Sequence, residues 1–194
     1  MRLRFAALLS LAILAAAPSR ASCIHGYVKG VADRAIPGAT ITIFERESDA
    51  ARSERREQVH PRAVFRRGVS NAKGWFRVDP RRRGNYDVLV TAPGYAPRLL
   101  RAAAGVNLGN VQLTPARETR VAFTCGQAPI VGAPVVVVAR DGAELFLNTD
   151  PAGALRIPEP ALWVDEVVVA TSTGPLRLHQ PRLTGAVELA SCRQ

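Results

Sequence analysis

The chain has 194 residues, and 26 Lys/Arg against 16 Asp/Glu give a formal charge of +10. A composition of 47% hydrophobic and 22% charged residues excludes a disordered or collagen-like chain, and the length admits one or two domains with real cores. Fifteen Gly and 14 Pro, spread evenly, favour many short strands over long helices, and only Lys29 and Lys73 among the basic residues are lysines.

The N-terminus reads as a secretory leader. Met1–Arg4 carries two arginines, Phe5–Ala17 is apolar except for Ser10, and small residues follow up to Ser22. This run is too short to span a bilayer, and no later stretch is apolar for long enough to do so. Residues 1–22 are therefore expected to be a cleaved signal peptide and the mature chain to be exported, to the periplasm or the extracellular space. Removing Arg2, Arg4 and Arg20 lowers the formal charge from +10 to +7. Ala21-Ser22-Cys23 fits the end of a bacterial lipobox, which would place the protein at the outer membrane. Arg20 stands where a leucine-like residue belongs, so a thiol or a disulfide partner is the favoured role for Cys23.

In chain order, the first half predicts strands at Tyr27-Val28, Ala39–Phe44, Trp75–Val78, Tyr86–Thr91 and Val106–Leu113, each short, β-branched or alternating and bounded by turn residues. Between them, Arg46–Pro61 holds one sizeable apolar residue, Val59. It is expected to be a mobile hairpin extension or loop, with a short charge-paired helix as the alternative. Thr114–Arg117 is the expected joint. The second half predicts strands at Arg120–Thr124, Val135–Arg140, Leu145–Asn148, Leu155–Pro158, Glu166–Ala170 and Ala186–Ser191. Val135–Val138 is continuously apolar, as a central strand covered on both sides would be.

The two halves repeat. Gly38 precedes Gly132 by 94 positions, whereas Gly74 to Gly153 and Asp87 to Glu166 are both 79 apart. The difference places about 15 extra residues in the first copy, between Phe44 and Asn71. The predicted fold is all-β: two tandem Ig-like β-sandwich domains, 23–115 with a basic insertion at 46–62, and 116–194.

The first copy resembles the carboxypeptidase regulatory-like domains, which are prealbumin-like (transthyretin-like) sandwiches. The resemblance rests on Ile36-Pro37-Gly38-Ala39 leading into a strand, Gly74-Trp75-Phe76 after a turn, and Pro93-Gly94-Tyr95 ending a strand. It covers residues 24–113 well and 121–191 weakly, through Gly132-Ala133 and Thr149–Gly153. It implies a non-catalytic module serving folding support or binding.

The residues themselves offer little chemistry. His25, His60 and His179 stand in no metal-binding pattern, and no nucleophile or phosphate-loop motif occurs, so no enzyme activity, metal or cofactor is expected. Asp165 and Glu166 are adjacent in a strand and so face opposite ways, which argues against shared acid–base work. Cys125 and Cys192 flank the second copy, and pairing them would close a 67-residue loop, stabilising by roughly 4 kcal/mol. Cys23–Cys192 and Cys23–Cys125 stay open, leaving Cys23 lipidated, bridged between molecules or free in the favoured pairing.

Residues 23–115 hold 16 basic and 8 acidic side chains, residues 116–194 hold 7 and 8, so any electrostatic partner is read by the first half. Arg52, Arg55, Arg56, Arg62, Arg66 and Arg67 lie in or beside the insertion, and Arg81, Arg82 and Arg83 form a turn. Guanidinium forks suit phosphate and carboxylate, so these nine are the candidate anion-binding residues. The partners expected are an envelope protein, or an anionic lipid or polysaccharide docked on these arginines. Export and the absence of interleaved aromatics argue against nucleic acid.

Overall fold

The computed structural model describes residues 22–158, 164–179, 183 and 185–189. The expected signal peptide lies, apart from Ser22, outside the described residues. Among the described residues no helix is long and apolar enough to cross a membrane.

Among the described residues there are fifteen strands, one α-helix and a short 3-10 helix at Val31–Asp33. β1 (Ile24–Lys29), β4 (Trp75–Val78) and β7 (Asn107–Gln112) form a three-stranded sheet in the order β4-β1-β7. β2 (Thr40–Glu45), β3 (Arg66–Val69), β5 (Asn85–Thr91) and β6 (Arg98–Ala103) form a second sheet, β3-β2-β5-β6. Period-two alternation decides what lies between them: Ile41 and Ile43 of β2, Val88 and Val90 of β5, Ile24 and Val28 of β1 and Phe76 of β4 share one buried cluster.

The second unit repeats this plan. β8 (Glu118–Cys125), β12 (Ala154–Pro158) and β15 (Gly185–Glu188) order as β12-β8-β15, with the short β9 (Ala128–Pro129) beside β8. β10 (Pro134–Ala139), β11 (Glu144–Asn148), β13 (Val164–Thr171) and β14 (Gly174–His179) order as β11-β10-β13-β14. Its core holds Val121, Phe123, Val135, Val137, Leu155, Ile157, Val167 and Val169. In both units the first and last strands pair in parallel, β1 with β7 and β8 with β15.

The repeat extends to individual hydrogen bonds. Asn71 Oδ1 accepts the N–H groups of Lys73 and Trp75, and Asp150 Oδ1 accepts those of Ala152 and Ala154. The turns close on Gly74 (φ +74°) and Gly153 (φ +70°), where a Cβ would collide with the carbonyl oxygens of Val28 and Phe123 respectively. Val69 opposite Thr40 corresponds to Asn148 opposite Pro134. The extra residues of the first copy therefore lie between Glu45 and Arg66.

That insertion is not a mobile loop. Residues Asp49–Glu57 form helix α1, capped by Ser48, whose Oγ accepts the Ala51 N–H at 3.2 Å. Asp49 sits in the first turn and Arg55 and Arg56 in the last, each sign suited to the helix dipole. The helix has no buried residue of its own, so tertiary contacts stabilise it.

Four strands were not predicted from the sequence: the two-residue β9, and three longer ones. β3 (Arg-Arg-Gly-Val), β6 (Arg-Leu-Leu-Arg-Ala-Ala) and β14 are outer strands whose alternation is masked by Gly, Pro or good helix formers. Neighbouring strands override their weak propensity. Val135–Ala139 is buried throughout, as the continuous valine run predicts.

The joint is held by backbone. Ala96 N–H donates to Thr114 O and Ala116 N–H to Gly94 O, both at 2.9 Å. Tyr95 packs on the first core and lies over Gly30, where a Cβ would fall 2.9 Å from the phenol oxygen.

Candidate functional site

The nine arginines do not form one surface. Four of them, Arg52, Arg55, Arg56 and Arg62, sit with carboxylates in the crevice between the two units. Their side chains are only 6–16% exposed.

The ion pairs form a chain. Asp87, fully buried on the outer face of β5, receives Arg62 Nη2 at 2.9 Å and Arg52 Nη2 at 3.5 Å. Arg62 also lies 4.6 Å above the Phe44 ring and donates to Glu45 O at 2.8 Å. Arg55 makes a two-pronged contact with Glu47, Nε and Nη2 each reaching an oxygen at 3.1 Å. The same guanidinium reaches across to Glu144 of β11, where Arg56 Nε also donates at 2.7 Å. Arg56 continues to Glu166 of β13 at 3.6 Å, and Arg177 of β14 joins Glu166 to Glu57 at 3.1 and 3.2 Å.

Electrostatics follow from burial. Loss of solvent alone would lower the Arg55 guanidinium, but hydrogen bonds to Glu47 and Glu144 outweigh it and hold the group above its ordinary value. Asp87 Oδ1 and Arg62 Nε are buried without a hydrogen-bond partner. Such a network gives little net stability over an apolar contact, but removing one partner strands the others. Its chemical capacity is to fix geometry.

An apolar anchor lies beneath it. Val59, 5% exposed, packs with Val136, Val138 and Val168 on the outer face of the second unit's sheet. That face is what leaves β10 covered on both sides. The insertion thus leaves one sandwich and lands on the other. Sequence reading marked Val59 as the segment's one sizeable apolar residue, but the acidic partners Asp87, Glu144 and Glu166 were missed. The available signal was a carboxylate at an apolar-strand position: Glu166 is buried while its neighbour Asp165 is exposed, as opposite facing requires.

The other arginines lie elsewhere. Arg66 Cζ is 5.4 Å from the Phe65 ring centre, and Arg67 is exposed on β3. Arg81, Arg82 and Arg83 stand exposed in the turn before β5. Asp79 Oδ1 holds that turn by accepting the Arg81 N–H at 2.8 Å and the Ser22 hydroxyl at 3.0 Å, which lowers its own carboxyl. Cys23 is a free, half-buried thiol. Cys125 ends β8, while Cys192, its expected partner, lies outside the described residues. His25, His60 and His179 are on β1, after α1 and on β14, and among the described residues no group of three or more His, Cys, Asp or Glu could hold a metal.

No curated protein matches the chain. Among solved structures it is similar to the Bacillus anthracis TIE protein, at 11% identity and TM-score 0.32, covering 88% of this chain and 33% of that one. A streptococcal ancillary pilin gives 12% identity and TM-score 0.35 over 86% of this chain and 61% of that one. The shaft pilin SpaA of Lactobacillus rhamnosus GG gives 11% and 0.34 over 89% and 98%. The chain thus spans about a third of the first of these proteins and under two thirds of the second. The carboxypeptidase regulatory-like domain family matches residues 23–126, more than half of the chain and running from β1 through β8. On that match, together with the sandwich topology, this chain belongs to the carboxypeptidase regulatory-like domain family.

Proposed function

We propose that the protein is an exported, non-enzymatic module of the cell envelope, acting as a structural or binding accessory to an envelope partner. The observation that carries this reading is the use of its most reactive-looking groups. Glu144 and Glu166 are held against Arg55 and Arg56 from the other unit, so the densest cluster of charge serves to join two sandwiches. A family whose modules support folding or binding fits the same reading. The leader-like N-terminus and Cys23, as a thiol or a lipid attachment point, support the location.

A second reading, docking of an anionic lipid or polysaccharide on arginines, narrows to Arg81, Arg82 and Arg83. These three are consecutive and exposed, whereas the insertion arginines are engaged. Cross-linking in intact cells at low and high salt, followed by mass spectrometry, tests both readings. A salt-resistant protein partner supports the accessory module; salt-sensitive capture of lipid or polysaccharide, lost on R81S/R82S/R83S, supports the second. Recovery of the full chain in the cytosol alone overturns both.

A further inference from the structure

On the outer face of β4-β1-β7, Tyr27 stands directly opposite Trp75 in the antiparallel register. Both are exposed, at 42% and 36%. In the parallel register Tyr27 faces Asn110 and Lys29 faces Gln112, while His25 faces Arg77 across the other ladder. The face therefore carries two aromatic rings bordered by amides and cations. Lys29 Nζ lies 5.7 Å from the Tyr27 ring centre. Two carboxylates stand at its border, Asp33 accepting from the Gln112 amide and Asp79 from Ser22 and the Arg81 N–H.

The second unit supplies a control built into the same chain. Val28 N–H bonds Gly74 O as Phe123 N–H bonds Gly153 O, so Tyr27 and Trp75 correspond to Ala122 and Ala154, which also pair. The fold forms with alanines at these positions. An exposed Tyr–Trp pair is thus not a requirement of the sandwich.

We infer that this face is a binding platform for an acidic saccharide chain. Aromatic rings stack on the apolar C–H faces of pyranose rings, amides pair with their hydroxyls, and Lys29 and Arg77 match their acidic groups. A protein partner fits less well, because the core of a stable protein interface is a broad apolar patch, and in β1, β4 and β7 only Tyr27 and Trp75 are exposed large apolar side chains. The inference deepens the envelope reading and rests on it for the ligand's presence, but its test does not.

The probe is polygalacturonate, with neutral dextran as control, in affinity electrophoresis and calorimetry of the full chain. Binding to polygalacturonate and not to dextran is expected. Trp75→Ala and Tyr27→Ala are each expected to weaken it about tenfold or more, with Trp75→Phe partly restoring it and the urea midpoint unchanged. R81S/R82S/R83S should bind as the parent does. The proposal is overturned by no binding, by equal binding to dextran, by binding insensitive to Trp75→Ala, or by loss only in the triple arginine variant. Cell fractionation reads the envelope location separately: an envelope protein that ignores polygalacturonate sinks this inference alone.

Discussion

Ser70 and Thr149 do the same work in the two units. Ser70 Oγ accepts the Ala39 N–H at 2.9 Å and donates to Ile36 O at 2.7 Å. Thr149 Oγ1 accepts the Ala133 N–H at 2.8 Å and donates to Ile130 O at 2.6 Å. Both side chains are buried and bind the segment that turns into the second strand of each unit. Replacing Ser70 by Ala or Thr149 by Val strands a buried N–H and carbonyl, at a cost of about 1–3 kcal/mol each. Thr149→Ser should retain the bonds and most of the stability. Urea unfolding of the three variants checks this, and equal stability in all would refute the shared role.

Glu144 is the hinge of the ion-pair chain, since Arg55 and Arg56 both end on it. Glu144→Ala takes one acceptor from Arg55, which keeps Glu47, and leaves Arg56 with only the 3.6 Å contact to Glu166, so it is expected to cost about 2 kcal/mol. The loss should appear as uncoupling: one cooperative transition in calorimetry becomes two, because each sandwich keeps its own core. A single unshifted transition would show that the network contributes nothing to the junction.

Val59 joins the insertion to the second unit at a backbone cost. It holds φ +49°, an unfavourable region for a β-branched residue. Packing against Val136, Val138 and Val168 offsets that strain. Val59→Asp should detach α1, expose the valine face and raise binding of a hydrophobic dye, with a loss of about 2–4 kcal/mol. Val59→Gly relieves the strain while losing the contact, so it should cost less. Proteolysis within 46–62 reads the detachment directly.

Asp150 offers a pH experiment with an internal reference. Its carboxyl is held below the usual carboxylate range, chiefly by the Ala154 N–H, with the Ala152 N–H and Arg120 adding to it and desolvation opposing. A depressed value in the folded state means the stabilisation is complete above the ordinary carboxylate value and is lost as pH falls through the lower folded one. Asp150→Asn copies Asn71 of the first unit, so the turn should survive. Urea midpoints measured from pH 6 down to pH 2.5 should then fall less steeply than in the parent. An unchanged slope would exclude Asp150 from the acid response.

These cases indicate which parts of the molecule the sequence could reveal. The offsets between Gly38, Gly74, Gly132 and Gly153 are local facts, and they located the repeat and its insertion because turns require particular residues at particular places. β3 and β6 could not be read this way. Arg66 and Arg98 belong to strands whose partners supply the ordering. The insertion arginines misled for a related reason: a run of charge looks solvated until its counterions are known, and Glu144 lies 89 positions from Arg55. Pairing at that range is a property of topology. Tyr27 and Trp75 carried the opposite difficulty, since an aromatic in a strand reads as core until the register assigns its face.

The parallel pairing of β1 with β7 has a mechanical consequence. Ile24 begins β1 at one end of the sheet and Gln112 ends β7 at the other, so tension applied through the chain ends slides the two strands past each other. Their hydrogen bonds then share the force and must break together, whereas an antiparallel pair of terminal strands would open one rung at a time. The same holds for β8 and β15 in the second unit. A sandwich closed in this way is expected to unfold at a higher pulling force than one closed by an antiparallel pair, and the chain holds two of them in series.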